Sequence, residues 1–194
     1  MKVVIVRYKA GNTASVSIAL NRLGIEPVIS ADRNDLLSAD KVIFPGVGEA
    51  SAAMKYITER RLDDAIRSLR KPFLGICLGM QLMFEFSEEN STDCLGIVNG
   101  NVIRFDETKA KVPHTGWNRV SGLRTSLFDG INDGTYFYFV HGYYVDVAAD
   151  TIAWAEHGTV FSAAIRQNNF YAVQFHPERS GPAGRLVLEN FLKL

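Results

Sequence analysis

The stretch PFLGICLGMQLM (72–83) places Cys77 between an apolar run and a segment with helical spacing. PFLGI predicts a buried strand, and LGMQLMFEF (78–86) predicts a helix. Gly75, Cys77 and Gly79 match the nucleophile elbow G-x-S-x-G, with sulfur in place of oxygen. An elbow of this kind holds its side chain at the carboxyl end of a strand, where open α/β sheets place their sites. The stretch therefore predicts an α/β fold with a site at Cys77.

Outward from Cys77, the first half of the chain alternates strand and helix patterns. Apolar runs at 2–7, 26–30 and 41–46 predict strands, while 13–24 and 49–70, the latter with a break near Arg60, predict helices. The second half predicts strands at 101–105, 135–146, 151–158, 160–167 and 170–178, and a last helix at 182–192 with Ser180 as its N-cap. Asn168-Asn169 indicates a hairpin turn. We expect one domain over residues 1–194, a three-layer α/β/α fold with a mixed, mostly parallel central sheet.

Composition narrows the functional classes. The chain has 194 residues, 47% of them hydrophobic, which predicts a packed globule. It carries 21 basic and 21 acidic residues, and this zero net charge argues against a nucleic-acid or membrane-surface protein. No apolar run reaches the roughly 20 residues of a membrane span. Two cysteines do not form a disulfide framework, so we expect a cytoplasmic protein with reduced thiols and read Cys94 as structural.

A cysteine nucleophile needs a base, and the base needs an orienting group. His176 and Glu178 stand two residues apart in QFHPE (174–178), after an apolar strand, so both can face one site. Taken alone, Cys77 is more often a small buried side chain and His176 a strand-end histidine bonded to backbone. The glycine elbow and the paired His-x-Glu favour a catalytic triad of Cys77, His176 and Glu178.

Catalysis at a carbonyl also needs an oxyanion hole. The amide of Leu78 follows the nucleophile directly, and the loop PGVG (45–48) offers the amides of Val47 and Gly48. A dinucleotide loop is the competing reading of GVGEAS (46–51), but the last position departs from G-x-G-x-x-G and the loop follows the third predicted strand. A plain structural turn is a further alternative. Zinc motifs such as C-x-x-C are absent from the sequence, and we expect neither a metal nor a cofactor.

The motifs PGVG, GICLGMQL and QFHPE, in this order, resemble the class I (triad) glutamine amidotransferases. PHTGWN (113–118) and YFYFVH (136–141) are similar to the glutaminase subunits of imidazole glycerol phosphate synthases, from histidine biosynthesis. The resemblance spans essentially the whole chain. It implies that Cys77 attacks the side-chain amide of glutamine, with Gln81 and the segment His141-Gly142-Tyr143 binding the substrate.

The resemblance further implies a partner and a product. Ammonia passes to a separate cyclase subunit with a (β/α)₈ barrel, which forms a heterodimer with this chain. That subunit uses the ammonia to cleave phosphoribulosyl-formimino aminoimidazole carboxamide ribotide (PRFAR) into imidazole glycerol phosphate and aminoimidazole carboxamide ribotide (AICAR). Candidate interface residues are Asn12, Trp117, Asn118 and Tyr136. The isolated chain is expected to hydrolyse glutamine poorly, with a peptide flip near Val47 as the gate.

The chain departs from the family pattern at two places. The family's Asp-Tyr-Gly-x-Gly-Asn is replaced by RYKAGN (7–12). The residue after His141, often Ser or Thr in the family, is Gly142 here. Several alternatives stay open. The same chemistry serves synthases of anthranilate, aminodeoxychorismate or pyridoxal phosphate, the elbow alone also fits a cysteine protease, and a regulatory homologue without catalysis is a further possibility.

Overall fold

The computed structural model describes residues 1–8 and 12–194. In chain order its strands are β1 (Val3–Val6), β2 (Val28–Ser30), β3 (Lys41–Gly46), β4 (Phe73–Cys77), β5 (Phe86–Ser87), β6 (Thr92–Asp93), β7 (Asn101–Arg104), β8 (His114–Arg119), β9 (Tyr136–His141), β10 (Tyr143–Val145), β11 (Thr151–Glu156), β12 (Val160–Gln167) and β13 (Phe170–Val173). Its α-helices are α1 (Thr13–Asn21), α2 (Arg33–Leu37), α3 (Ala50–Glu59), α4 (Leu62–Arg67), α5 (Leu78–Gln81) and α6 (Gly181–Lys193).

A seven-stranded sheet forms the centre of the fold, in the order β11-β12-β13-β4-β3-β1-β2. The pairs from β13 to β2 are parallel, and β12 is antiparallel to both β13 and β11. Helices cover both faces, since Ile57 and Ile66 pack in one core cluster while Leu20 and Phe191 pack in the other. Burial on both faces accounts for the continuous apolar runs. The predicted three-layer fold with a mixed, mostly parallel sheet is confirmed.

Two smaller sheets flank the central one, in the order β10-β7-β5-β6 and as the pair β8-β9. The predicted strand 135–146 breaks at Gly142, so that β9 pairs with β8 and β10 pairs with β7. The segment around Trp117, which was not predicted as a strand, forms β8. Its sequence HTGWNR has no alternation of apolar residues, so its pattern does not indicate a strand. Alternation also does not say which neighbour a strand pairs with, and this explains why the break at Gly142 was not predicted.

The helix predicted over 78–86 is a single turn, Leu78–Gln81. A later segment of the chain bonds to the residues that follow this turn. The amides of Leu95 and Gly96 donate to the carbonyls of Leu82 and Phe84 at 2.9 and 2.7 Å. Those carbonyls are therefore not available to a longer helix. The apolar residues after Gln81 are buried on every side, and such a run does not separate helix from extended structure by its pattern.

Other local predictions have mixed outcomes. The break near Arg60 is confirmed, since α3 ends at Glu59 and Arg61 adopts a φ of 54° before α4. The hairpin turn at Asn168-Asn169 is confirmed by the pairing of Gln167 with Phe170. Strand β13 ends at Val173 rather than 178, and Pro177–Arg179 form a 3₁₀ turn. In the part of the chain that the structure describes, every helix is too short or too polar to cross a membrane.

Candidate active site

Cys77 stands at the corner between β4 and α5 with a φ of 54° and a ψ of −110°. This left-handed conformation is strained for a residue with a side chain, and it persists because the surrounding backbone is packed tightly. A Cβ on Gly75 would lie 2.7 Å from the carbonyl oxygen of Gly79, and one on Gly79 would overlap the carbonyl of Phe44. The G-x-C-x-G spacing is therefore a steric requirement of the corner.

His176 and Glu178 meet beside Cys77 as predicted. His176 follows β13, which pairs with β4, so the histidine reaches the same sheet edge as the cysteine. Its Nδ1 lies 2.9 Å from Oε1 of Glu178, and both side chains are buried. The geometry differs from the predicted extended strand, because Glu178 lies in the 3₁₀ turn.

Ser180 fixes the backbone of this corner. Its hydroxyl donates to the carbonyl of His176 at 2.7 Å and accepts from the amide of Tyr138 at 3.0 Å. The predicted N-cap of the last helix is thus wrong in one respect: Ser180 precedes α6, but its side chain makes no capping bond. The hydroxyl holds the His176 turn against β9 instead.

The electrostatics of His176 favour its protonated form. Burial lowers its pKa, but the charge of Cys77 and the hydrogen bonds to Cys77 and Glu178 outweigh burial and raise the pKa from 6.5 to about 10. An imidazolium beside the sulfur is suited to hold a thiolate and to give a proton to a leaving group.

The loop after β3 lies next to Cys77, because Gly46 pairs with Cys77 in the parallel β3–β4 ladder. Gly48 has a φ of 102°, in the region that favours glycine. Val47, Gly48 and Leu78 line the same cavity of about 510 Å³ as Cys77 and His176. The structure thus brings the residues predicted for the oxyanion hole to the same cavity as Cys77.

The far wall of the cavity consists of Gln81 and the segment His141-Gly142-Tyr143. Gln81 Nε2 donates to the carbonyl of Tyr143 at 3.0 Å and to Oε1 of Gln174 at 3.0 Å. Gly142 lies between β9 and β10, where the strand changes sheets. The four residues predicted to bind substrate therefore lie together.

A pair of buried histidines supports this wall. His141 Nδ1 donates to the carbonyl of Tyr143 at 2.7 Å, so its Nε2 is the acceptor for His114 Nδ1 at 2.9 Å. His114 Nε2 then accepts from the amide of Asn118 at 3.2 Å. Burial lowers the pKa of His141 to about 3 and that of His114 to about 4, so both rings are neutral near pH 7.

Glu89 is a site residue that the sequence did not reveal, since the run 88–93 reads as a solvated loop. Its side chain lines the cavity, and its Oε2 accepts from the amide of Ala50 at 2.7 Å, at the start of α3. Burial and then the nearby charge of Glu49 raise the pKa of Glu89, against the effect of the Ala50 bond. The signal available in the sequence was the acidic pair after β5, but the β5–β6 turn that folds it inward has no pattern of its own.

The residues predicted for the partner interface fall into two groups. Trp117 and Tyr136 lie on the outer face of the β8–β9 pair with exposures of 56% and 58%. Asn118 and Asn12 are directed inward: Asn118 bonds to His114, and the Asn12 amide lies 3.4 Å from Glu178. The departing loop RYKAGN is described only at its ends, because residues 9–11 lie outside the described residues.

Cys94 lies apart from the site, at the end of the β5–β6 pair. Burial, followed by the charges of Asp93 and Glu89, raises the pKa of its thiol to about 12. This environment is that of an unreactive thiol.

The comparisons with known proteins agree with the fold. The family model "Glutamine amidotransferase class-I" matches residues 3–194, and the chain belongs to the class I glutamine amidotransferase family. Within this family the chain belongs with the HisH subunits. It is 53% identical to the imidazole glycerol phosphate synthase subunit HisH of Bacteroides fragilis and 50% identical to that of Escherichia coli, in each case over 100% of both chains.

Solved structures support the fold alone, because their sequences are distant. The crystal structure of a glutamine amidotransferase has a TM-score of 0.74 at 20% identity, over 98% of this chain and 97% of that one. PurLQS from Thermotoga maritima has a TM-score of 0.74 at 19% identity, over 99% of this chain and 97% of that one.

Proposed function

We propose that this chain is the glutaminase subunit of an imidazole glycerol phosphate synthase in histidine biosynthesis. The observation that carries the proposal is that Cys77 and His176 line one cavity together with Gln81, while Glu178 bonds to the ring of His176 from outside that cavity. The full-length identity to HisH subunits supports the choice of this synthase over those that make anthranilate, aminodeoxychorismate or pyridoxal phosphate. Residues 1–194 act as one glutaminase domain in this proposal, because the nucleophile and its base come from opposite halves of the chain.

The first half-reaction is acyl transfer to sulfur. The Cys77 thiolate attacks the side-chain amide carbon of glutamine, and the amides of Leu78 and the Val47–Gly48 loop hold the oxyanion. His176 gives its proton to the amide nitrogen as the C–N bond breaks, which releases ammonia and leaves a γ-glutamyl thioester. Glu178 orients the imidazole and stabilises its positive charge.

The second half-reaction is hydrolysis of the thioester. His176, now neutral, takes a proton from water as the water attacks the thioester carbon. Collapse of the tetrahedral intermediate breaks the C–S bond, and glutamate leaves as the thiolate and the imidazolium are restored.

The cavity offers complementary groups for the amino-acid end of glutamine. Gln81 and the backbone of His141-Gly142-Tyr143 provide hydrogen bonds, and the half-buried Glu89 provides a negative charge for the α-ammonium group. Replacement of the more usual Ser or Thr by Gly142 keeps the backbone contact and removes a hydroxyl.

Ammonia is delivered in this proposal to a cyclase subunit with a (β/α)₈ barrel. Sequestered delivery preserves the nucleophile, because free ammonia in neutral water is mostly ammonium. The outer face of β8–β9, with exposed Trp117 and Tyr136, suits a partner contact, since aromatic residues are enriched at interface cores. We place the heterodimer in the cytoplasm, where both free cysteines stay reduced.

The decisive experiment measures glutamate release from glutamine by the chain alone, with the cyclase subunit, and with the cyclase plus PRFAR. We expect little release by the chain alone and a strong rise in the full mixture, with Cys77→Ala inactive throughout. Fast release by the chain alone would contradict gating at Val47 but leave the chemistry intact. Binding of the cyclase without glutamate release in any mixture would contradict the proposed function.

A further inference from the structure

Gln174 is a buried polar residue that contacts the reacting sulfur and has no part in the mechanism above. Its side chain is 0% exposed, and its Nε2 lies 3.6 Å from Sγ of Cys77. This distance is within hydrogen-bond range for sulfur, which is larger than oxygen. The question is whether the amide presents its N–H or its oxygen to the sulfur, since the two ends of an amide have the same shape.

Neighbouring groups settle the orientation. The carbonyl of Tyr143 can only accept, so the Gln81 atom 3.0 Å away is its NH₂ group. The second hydrogen of that NH₂ points to Gln174 at 3.0 Å, so the facing atom of Gln174 is its oxygen. The remaining end of Gln174, its NH₂ group, therefore faces Cys77. A flipped Gln174 would set two NH₂ groups against each other and an oxygen against the sulfur.

The donor matters because the sulfur changes charge during the reaction. As a thiol, Cys77 donates to the carbonyl of Val140 at 3.6 Å. As a thiolate it has no hydrogen for that carbonyl, and it gains from N–H groups directed at it. The same charge reappears when sulfur leaves the thioester, so one donor serves both half-reactions.

We infer that Gln174 is a positioning residue that directs an N–H donor at the Cys77 sulfur, in an orientation fixed by Gln81 and the Tyr143 carbonyl. The inference rests on the proposed function for the role of Cys77 as nucleophile. The hydrogen-bond polarity itself comes from the contacts alone. Gln81 then has two roles, one facing the substrate cavity and one holding Gln174.

The test is the pH dependence of alkylation of Cys77 by iodoacetamide, followed by mass spectrometry of the peptide that contains it. The variants are Gln174→Met, which keeps the length of the side chain but removes the donor, and Gln81→Met, which removes the anchor. Ser162→Ala is the control, because Ser162 is equally buried and hydrogen-bonded but contacts Thr151 and the carbonyl of Asp146. Thermal melts of each variant establish that it is folded.

We expect the pH midpoint of alkylation to rise by about 0.5 to 1 unit in Gln174→Met, and by a smaller amount in Gln81→Met. Ser162→Ala should keep the wild-type midpoint, because loss of packing alone does not move it. Unchanged midpoints in both glutamine variants would overturn the inference. A shift in Gln174→Met alone would overturn the anchoring role of Gln81, and if Gln174→Met does not fold, Gln81→Met decides. Failure of the wild type to release glutamate with the cyclase is a separate result that addresses the proposed function.

Discussion

Acid should destabilise this protein through the buried pair His114 and His141. The folded state holds His141 with a pKa of about 3, whereas the unfolded chain has the ordinary value of 6.5. Above pH 6.5 both states keep the ring neutral, and below it only the unfolded chain takes up the proton. The free energy of unfolding therefore decreases as the pH is lowered. The slope is about 1.4 kcal/mol per pH unit for each group, which gives a loss of about 2 kcal/mol for His141 between pH 6.5 and about pH 5.

His114 adds to this loss, because its pKa in the folded state is about 4 and its side chain is also buried. The pair together should lower the free energy of unfolding by up to about 4 kcal/mol over the same range, a large share of the stability of a typical domain. His176 contributes in the opposite sense, since its pKa is raised. Its contribution grows mainly between pH 10 and 6.5 and changes little below that range.

The assay is urea unfolding followed by circular dichroism at both pH values, for the wild type, His141→Gln and His157→Gln. His141→Gln should reduce the acid-dependent loss by about 2 kcal/mol, whatever its effect at pH 6.5. His157→Gln is the comparison, because the His157 ring stacks on His114 at 4.1 Å and its charge, after burial, lowers the pKa of His114. It should reduce the acid-dependent loss by much less than His141→Gln does, since burial is the larger cause. Equal losses in the wild type and His141→Gln would refute the reasoning.

Three further predictions concern the corner, the triad and the second thiol. Gly79→Ala should lower the unfolding free energy by about 3 kcal/mol or more in a urea titration, whereas Gly142→Ala, whose Cβ would meet only Val112 at 3.6 Å, should change it by less than about 0.5 kcal/mol. Glu178→Gln should lower kcat for glutamine hydrolysis in the complex by about a hundredfold or more, because an amide does not stabilise the imidazolium; activity within a few-fold of wild type would argue against its role. Iodoacetamide at about pH 8 should label Cys77 in the native protein and leave Cys94 unlabelled, because burial raises the pKa of Cys94 to about 12; similar labelling of both would contradict this.

The parts of the fold that the sequence predicted are those in which packing restricts the residue type. Strand β4 is buried on both faces and reads as a continuous apolar run, and the elbow needs glycines at 75 and 79 to avoid overlap. The pairing of β9 with β8 was not predictable, because alternation specifies faces but not partners. The length of α5 was also predicted wrongly. The amides of segment 94–98 donate to the carbonyls after Gln81, and the sequence pattern does not indicate this contact.

In the candidate site, too, some features were predictable from the sequence and others were not. The proximity of Cys77, His176 and Glu178 was predicted because a nucleophile, its base and an orienting group each require a particular residue type at a fixed spacing from a strand end. The donor that Gln174 directs at Cys77 was not predicted. A side-chain amide carries both a donor and an acceptor, and the position of Gln174 in the sequence does not say which of them faces the sulfur. The orientation of the Gln174 amide is fixed by Gln81, whose own orientation is fixed by the Tyr143 carbonyl. Gln81 lies on α5 and Tyr143 on β10, and the fold brings them together. The direction of such a hydrogen bond depends on the series of contacts from Gln174 through Gln81 to the Tyr143 carbonyl. It can be assigned only when that backbone acceptor has been located in the structure.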